Sequence, residues 1–211
     1  MTHARAAWLA ALLLFCANAG AGTIEATVST PAGKPVEDAA VVAEPVSGAV
    51  PRHRGKATIQ QRDREFIPYV TIVQSGTTVE FPNRDPVKHH VYSFSPAKLF
   101  EIKLYAGKAA RPVTFDKPGE VALGCNIHDW MEAYVLVVNS PYFAKTGSNG
   151  KAIIPNVPEG RYRLRVWHPR QKAERAQGEI EIGATPARLK MMADVTPRVF
   201  KPKPPFESEK Y

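Results

Sequence analysis

The chain has 211 residues, 44% of them hydrophobic, and a formal charge of +8. That length suits one large or two small domains, with apolar content enough for a core. The positive balance suits an acidic partner or an anionic surface, but no basic helix or aromatic-studded basic groove is visible, which argues against nucleic acid as that partner.

Residues 1–22, "MTHARAAWLAALLLFCANAGAG", carry Arg5 in a short basic leader and then an apolar stretch from Ala6 to Phe15. Ala17-Asn18-Ala19 has the small-x-small form of a signal-peptidase site. The apolar stretch is too short to span a bilayer, so a cleaved secretory signal peptide, a periplasmic location and no stable membrane span are expected. Cys16 is a poor lipoprotein cysteine, because bulky Phe15 precedes it. Cleavage leaves one thiol, Cys125, which rules out an internal disulfide. A lone thiol in an oxidising compartment is a liability unless it is buried or bound.

After the leader no long stretch shows helical periodicity, and 14 glycines and 19 prolines supply turns throughout, so an all-β fold is expected. Residues 23–53 hold two strand patterns, "TIEATVS" and "DAAVVAEPV", and then a loop-like stretch. Residues 54–139 hold a dense series of short runs: "KATIQQ", "YVTIVQ", "TTVEF", "HHVYSFS", "FEIKLY", "PVTF", "EVALGC" and "EAYVLVV". With Gly and Pro punctuation and no helices between them, these fit an antiparallel sandwich or barrel. Residues 140–195 include the tight-turn pair Asn149-Gly150 and "RYRLRVW", which alternates Tyr162, Leu164 and Val166 with Arg161, Arg163 and Arg165, as a half-buried strand does. Residues 196–211 form a Pro- and Lys-rich tail, expected to be extended and mobile.

The flanks, "GKPVEDAAVV" and "NGKAIIPNVPEGRYRLRV", resemble the early and late strands of the carboxypeptidase regulatory-like, transthyretin-type β-sandwich. The resemblance implies that 23–53 and 140–195 are two parts of one small sandwich with 54–139 inserted in a loop, a placement that exposed loop tips tolerate. Two tandem domains with an extra N-terminal hairpin are the alternative.

The chemistry is concentrated in "GCNIHDWM", Gly124 to Met131. Val121, Leu123 and Cys125 fall on one face of a strand by its period of two, so an inward valine and leucine carry the sulfur inward as well. His128 and Met131 follow on a short loop before "EAYVLVV". A fourth donor is available at His89 or His90; adjacent strand residues face opposite sides, so one of the two is expected to point at the cysteine. One thiolate, two imidazoles and a thioether form the donor set of a blue copper centre, since soft sulfur suits Cu(I) and imidazole suits Cu(II).

With those residues in view, the segment 54–139 resembles a cupredoxin, and its short Cys-x-x-His-x-x-Met loop is similar to that of the amicyanins. "VYSFS" and "GCNIHDWM" also resemble exported proteins described as methylamine-utilisation or plastocyanin-like. In the family the first ligand opens a His-Asn-Val strand; His89-His90-Val91 matches it with His90 in the asparagine position, which implies His89 as the ligand. The resemblance therefore implies one copper ion held by His89, Cys125, His128 and Met131, with a His128 edge near the surface as the electron port. It implies a carrier rather than an enzyme. Lys88, Lys98 and Arg84 would steer a periplasmic redox partner such as a cytochrome c or a dehydrogenase.

Other readings compete. A cysteine ending an apolar strand is commonly a small core residue. A zinc site with Asp129 is weakened by the single thiolate and by methionine, a poor zinc ligand. A nucleophilic Cys125 lacks a visible oxyanion hole. Asp129 is expected to cap the turn, Trp130 to pack over the site, Glu132 to be a weaker substitute for Met131, and His53 and His168 to be solvated. A copper chaperone or envelope docking module, or an adhesin with a vestigial site, are the alternative functions.

Overall fold

The computed structural model describes residues 20–107, 111–173, 175–199, 202, 203 and 205. The expected leader lies outside the described residues up to residue 19, as does the tail from residue 206. The described residues are all-β. Strands β1 (Ala21–Ser29) and β2 (Ala40–Pro45) come first. Next are β3 (Lys56–Thr58), β4 (Gln60–Arg62), β5 (Glu65–Ile67), β6 (Val70–Gln74), β7 (Thr77–Glu80), β8 (His89–Ser95), β9 (Lys98–Tyr105), β10 (Val113–Phe115), β11 (Gly119–Gly124) and β12 (Glu132–Val138). Last are β13 (Phe143–Lys145), β14 (Lys151–Pro158), β15 (Gly160–Trp167), β16 (Arg175–Ile182) and β17 (Ala187–Met192). Ala21 and Gly22, which the sequence assigns to the leader, pair with Pro158 and Val157, so β1 opens two residues after Ala17-Asn18-Ala19.

Strands from the two ends of the chain share sheets. One sheet has the order β14-β1-β17, and a second runs β13-β2-β15-β16. Between them lies a core of Ile24, Ala26 and Val28 from β1, Val41 and Ala43 from β2, and Tyr162, Leu164 and Val166 from β15. The alternation in "RYRLRVW" puts these last three inside while Arg161 and Arg163 stay exposed. Everything from β3 to β12 lies between these strands in sequence and builds its own sheets: β6-β12-β11-β8-β9, β10-β7-β3 and the hairpin β4-β5. Their core gathers Ile59, Phe66, Val79, Phe81, Phe115, Val121, Leu123 and Val135.

The antiparallel pattern expected for residues 54–139 is broken at two places, where β6 with β12 and β3 with β7 are parallel pairs; β1 with β17 is a third parallel pair. Each joins strands far apart in sequence, because a parallel pair needs a crossover that no tight turn supplies. A seam explains the two continuous apolar runs. In β2, Val41 and Ala43 face the flanking core while Ala40 and Val42 face the other way; in β12, Ala133, Val135 and Val137 face the inner core while Leu136 and Val138 face outward. Those outward residues meet Val70, Tyr69 and Trp167 in a shared apolar layer. Strands buried on both faces lose the polar alternation of a solvated sheet. Each such Val or Leu adds about 1.5–3 kcal/mol when fully buried.

Candidate metal centre

Central strand β11 carries Val121 and Leu123 into the inner core, and Cys125 follows at the next position of the same parity, 3% exposed. The chain then turns tightly. The Met131 amide donates to the His128 carbonyl at 2.9 Å, and β12 begins at Glu132. This closure brings His128 (1% exposed) and Met131 (2%) back beneath the sheet. Neighbouring β8 opens with His89, which is fully buried, and Tyr92 of that strand pairs with Gly124 beside the cysteine.

The three donors meet. His89 Nδ1 lies 3.2 Å from His128 Nδ1, and Cys125 Sγ lies 3.7 Å from the same nitrogen. One donor atom from each of His89, Cys125 and His128 falls within 4.8 Å of the others. Met131 packs in the same buried cluster as Cys125. His90 points away: its Nε2 pairs with Glu101 Oε1 at 2.9 Å, and its ring lies against Tyr92. Glu132 reaches toward the Tyr69 hydroxyl, which sits 3.5 Å from Oε1, and Asp129 is exposed.

Several neighbours have little or no signal in the sequence. Asp85 Oδ2 sits 2.7 Å from His89 Nε2. Burial alone would raise the Asp85 pKa, but hydrogen bonds from the Arg64 amide, His89 and the Asp63 amide outweigh it and hold the carboxyl below its usual range. Tyr105, opposite His89 on β9, donates to the Phe81 carbonyl at 2.6 Å and contacts Gln61 Nε2 at 2.5 Å. Burial, with a smaller push from Cys125, raises its phenol to about 12. A four-residue offset from a histidine could have drawn attention to Asp85; nothing in the local sequence marks Gln61 or Tyr105.

The surface around the site also differs from expectation. The resemblance implies a His128 edge near the surface, yet the ring is buried with Trp130 against it, centroids 5.2 Å apart. The Trp130 indole N–H donates to the Arg64 carbonyl at 3.2 Å, which fixes the ring under the β4–β5 hairpin. An open groove of about 430 Å³ runs past Cys125 and Met131, walled by Tyr92, Phe94 and Tyr134. Lys88 and Arg84 are exposed, and Lys98 lies 3.9 Å from Asp116.

The donor set itself tests what the site can hold. A thiol and two imidazoles, each at most 3% exposed, converge where a soft or borderline cation would satisfy all three at once. Buried polar groups otherwise need hydrogen-bond partners of their own. Two nitrogens and one sulfur, with a thioether packed in the same cluster, suit copper better than hard cations, which take oxygen ligands.

No protein-family model matches the chain, and no curated protein matches it. Among solved structures it is similar to a purple cupredoxin from Nitrosopumilus maritimus, at 22% identity over 39% of this chain and 99% of that one, with a TM-score of 0.35. A reduced amicyanin variant is similar at 18% identity over 46% of this chain and 98% of its own, TM-score 0.37. A copper-containing nitrite reductase from Thermus scotoductus SA-01 is similar at 25% identity over 54% of this chain but 28% of that enzyme, TM-score 0.38. These similarities each cover about half of this chain or less, and the case for the site rests on its own side chains.

Proposed function

We propose that the chain is an exported type 1 copper protein that carries single electrons, with His89, Cys125, His128 and Met131 as its ligands. The observation that carries this reading is the buried convergence of His89, Cys125 and His128 within 4.8 Å. Copper held there would supply a one-electron couple between Cu(I) and Cu(II). Cys125 would provide the strong anionic donor, the two imidazoles donors acceptable to both oxidation states, and Met131 a weak thioether donor. Two core strands and a closed turn hold the donors, so the set changes little between states. Four protein donors leave no open coordination position of the kind a catalytic metal site keeps, which favours a carrier over an enzyme.

A copper chaperone is the alternative, and burial weighs against it. A module that hands copper over needs ligands a partner can reach, whereas these are at most 3% exposed. Trp130 packs on His128 and is half-buried, and the groove beside Cys125 offers an approach for a redox partner such as a cytochrome c or a dehydrogenase. An exported, periplasmic location is supported by the leader. No helix among the described residues is long and apolar enough to cross a membrane.

Titrating the mature protein with Cu(II) tests the reading. One equivalent is expected to produce an intense blue-to-green band that Cys125→Ser abolishes. A copper-saturated protein that stays colourless would refute it.

A further inference from the structure

We propose that Asp85 is a positioning residue of the metal centre. Its carboxylate fixes His89 in the tautomer that turns Nδ1 toward Cys125 and His128, and it strengthens that nitrogen as a donor to the oxidised ion. The proposal rests on the copper reading above and goes beyond its ligand set.

The contact is built from several directions. Asp85 lies four residues before His89, with its side chain 4% exposed, and its Oδ2 is 2.7 Å from His89 Nε2. An acidic oxygen at that distance accepts the Nε2 proton and leaves the Nδ1 lone pair facing the other donors. The carboxylate is itself held at both oxygens. The Asp63 amide donates to Oδ1 at 2.7 Å and the Arg64 amide to Oδ2 at 2.8 Å. Asn83 closes the loop from behind: its Oδ1 accepts from the Asp85 amide at 2.9 Å, and its Nδ2 donates to the carbonyls of Val87 and Tyr105. Tyr105 is the residue that pairs with His89 across β8 and β9.

The turn that supplies the two amides is costly to form. Asp63 and Arg64 both take φ of 55°, the left-handed region that L-residues with bulky side chains avoid. In a two-residue hairpin turn that conformation falls by default to asparagine or aspartate and then glycine, so the arginine at the second position is the exception. Here an aspartate and an arginine hold it, and both N–H groups reach one carboxylate. The same Arg64 offers its carbonyl to Trp130, which packs on His128. One hairpin turn thus braces the surroundings of both imidazoles.

The chemical consequence has a direction. A ligating histidine whose other N–H bonds to a carboxylate is a more basic ligand, and loss of such a partner costs 10–100-fold in metal affinity. The more highly charged oxidised ion gains more from that basicity than the reduced one. Asp85 therefore lowers the reduction potential.

The test uses the whole mature chain, with Asp85→Asn, which keeps the shape and removes the charge. Cu(II) and Cu(I) affinities are measured by chelator competition, and the midpoint potential by protein-film voltammetry. Asp85→Asn is expected to lose 10–100-fold in Cu(II) affinity and less in Cu(I) affinity. Each tenfold of difference corresponds to about 59 mV of upward shift for a one-electron couple. Affinities within twofold of the unsubstituted protein and an unchanged potential would overturn the proposal. Proton–nitrogen NMR of the unsubstituted Cu(I) protein decides the matter if the variant does not fold. A protonated, slowly exchanging Nε2 on His89 with a metal-bound Nδ1 supports it, and an unprotonated Nε2 overturns it. Neither readout depends on colour, so a failure of Asp85 is distinct from a failure of the blue-copper assignment, which the absorption band alone decides.

Discussion

The two sandwiches use polar side chains in different ways. In the flanking sandwich the buried hydroxyls close onto backbone: Ser140 donates to the Ala43 carbonyl, and Thr146 donates to the Val36 carbonyl at 2.7 Å. Those groups are satisfied within the fold, and around them Ile24, Val28, Val41 and Leu164 form an apolar core. In the inner sandwich a thiol and two imidazoles are buried among Val121, Leu123 and Val135, with the donor atoms converging on a common point. The first pattern is what stability alone asks of buried polar groups. The second carries a desolvation cost that a bound cation would offset beyond the Asp85–His89 hydrogen bond, which makes the inner region the candidate site and leaves the flanking region to read as scaffold.

Substitutions that separate the two roles sharpen this contrast. The largest effect on folding is expected from Ile24→Ala in the flanking core, a loss of about 2–5 kcal/mol in denaturant unfolding. The folded fraction should keep its copper band unchanged. Loss of the band in folded Ile24→Ala protein would break the division between scaffold and site.

A smaller effect concerns acid. His168, expected to be solvated, is instead 9% exposed just beyond β15, and its Nδ1 accepts from the Arg170 amide at 3.1 Å. Burial, aided by the nearby Arg170 and opposed by Asp38, lowers its pKa from 6.5 to about 4. The folded state therefore resists a proton that the unfolded chain accepts, so stability falls as pH drops from about 6.5 toward 4 and levels off below. The loss is at most about 3 kcal/mol. His168→Gln should flatten the melting temperature across that window. An equal acid slope in that variant would assign the effect elsewhere.

The strand pattern was largely legible because solvated strands alternate. "RYRLRVW" shows its buried face directly, and "HHVYSFS" coincides with β8. The short spacing of Cys125, His128 and Met131 was legible because one turn holds all three. What escaped the sequence depends on long-range placement. The parallel pairings join strands that do not follow one another in sequence, with β1 and β17 spanning the whole inner region. His168 precedes a proline and reads as loop, yet it is buried beyond the strand that ends in seam residue Trp167. Asp85 draws its amides from a hairpin turn in which Arg64 stands where the glycine marking such turns is expected. The cover over His128 depends on Trp130 being fixed by Arg64, 66 residues away in sequence.

The most direct test is copper K-edge X-ray absorption on the Cu(II)-loaded mature protein. One short copper–sulfur bond with two histidine nitrogens is expected, and that short copper–sulfur contribution should vanish in Cys125→Ser. A shell of oxygen and nitrogen alone would contradict the claim that Cys125, His89 and His128 hold one copper ion between them.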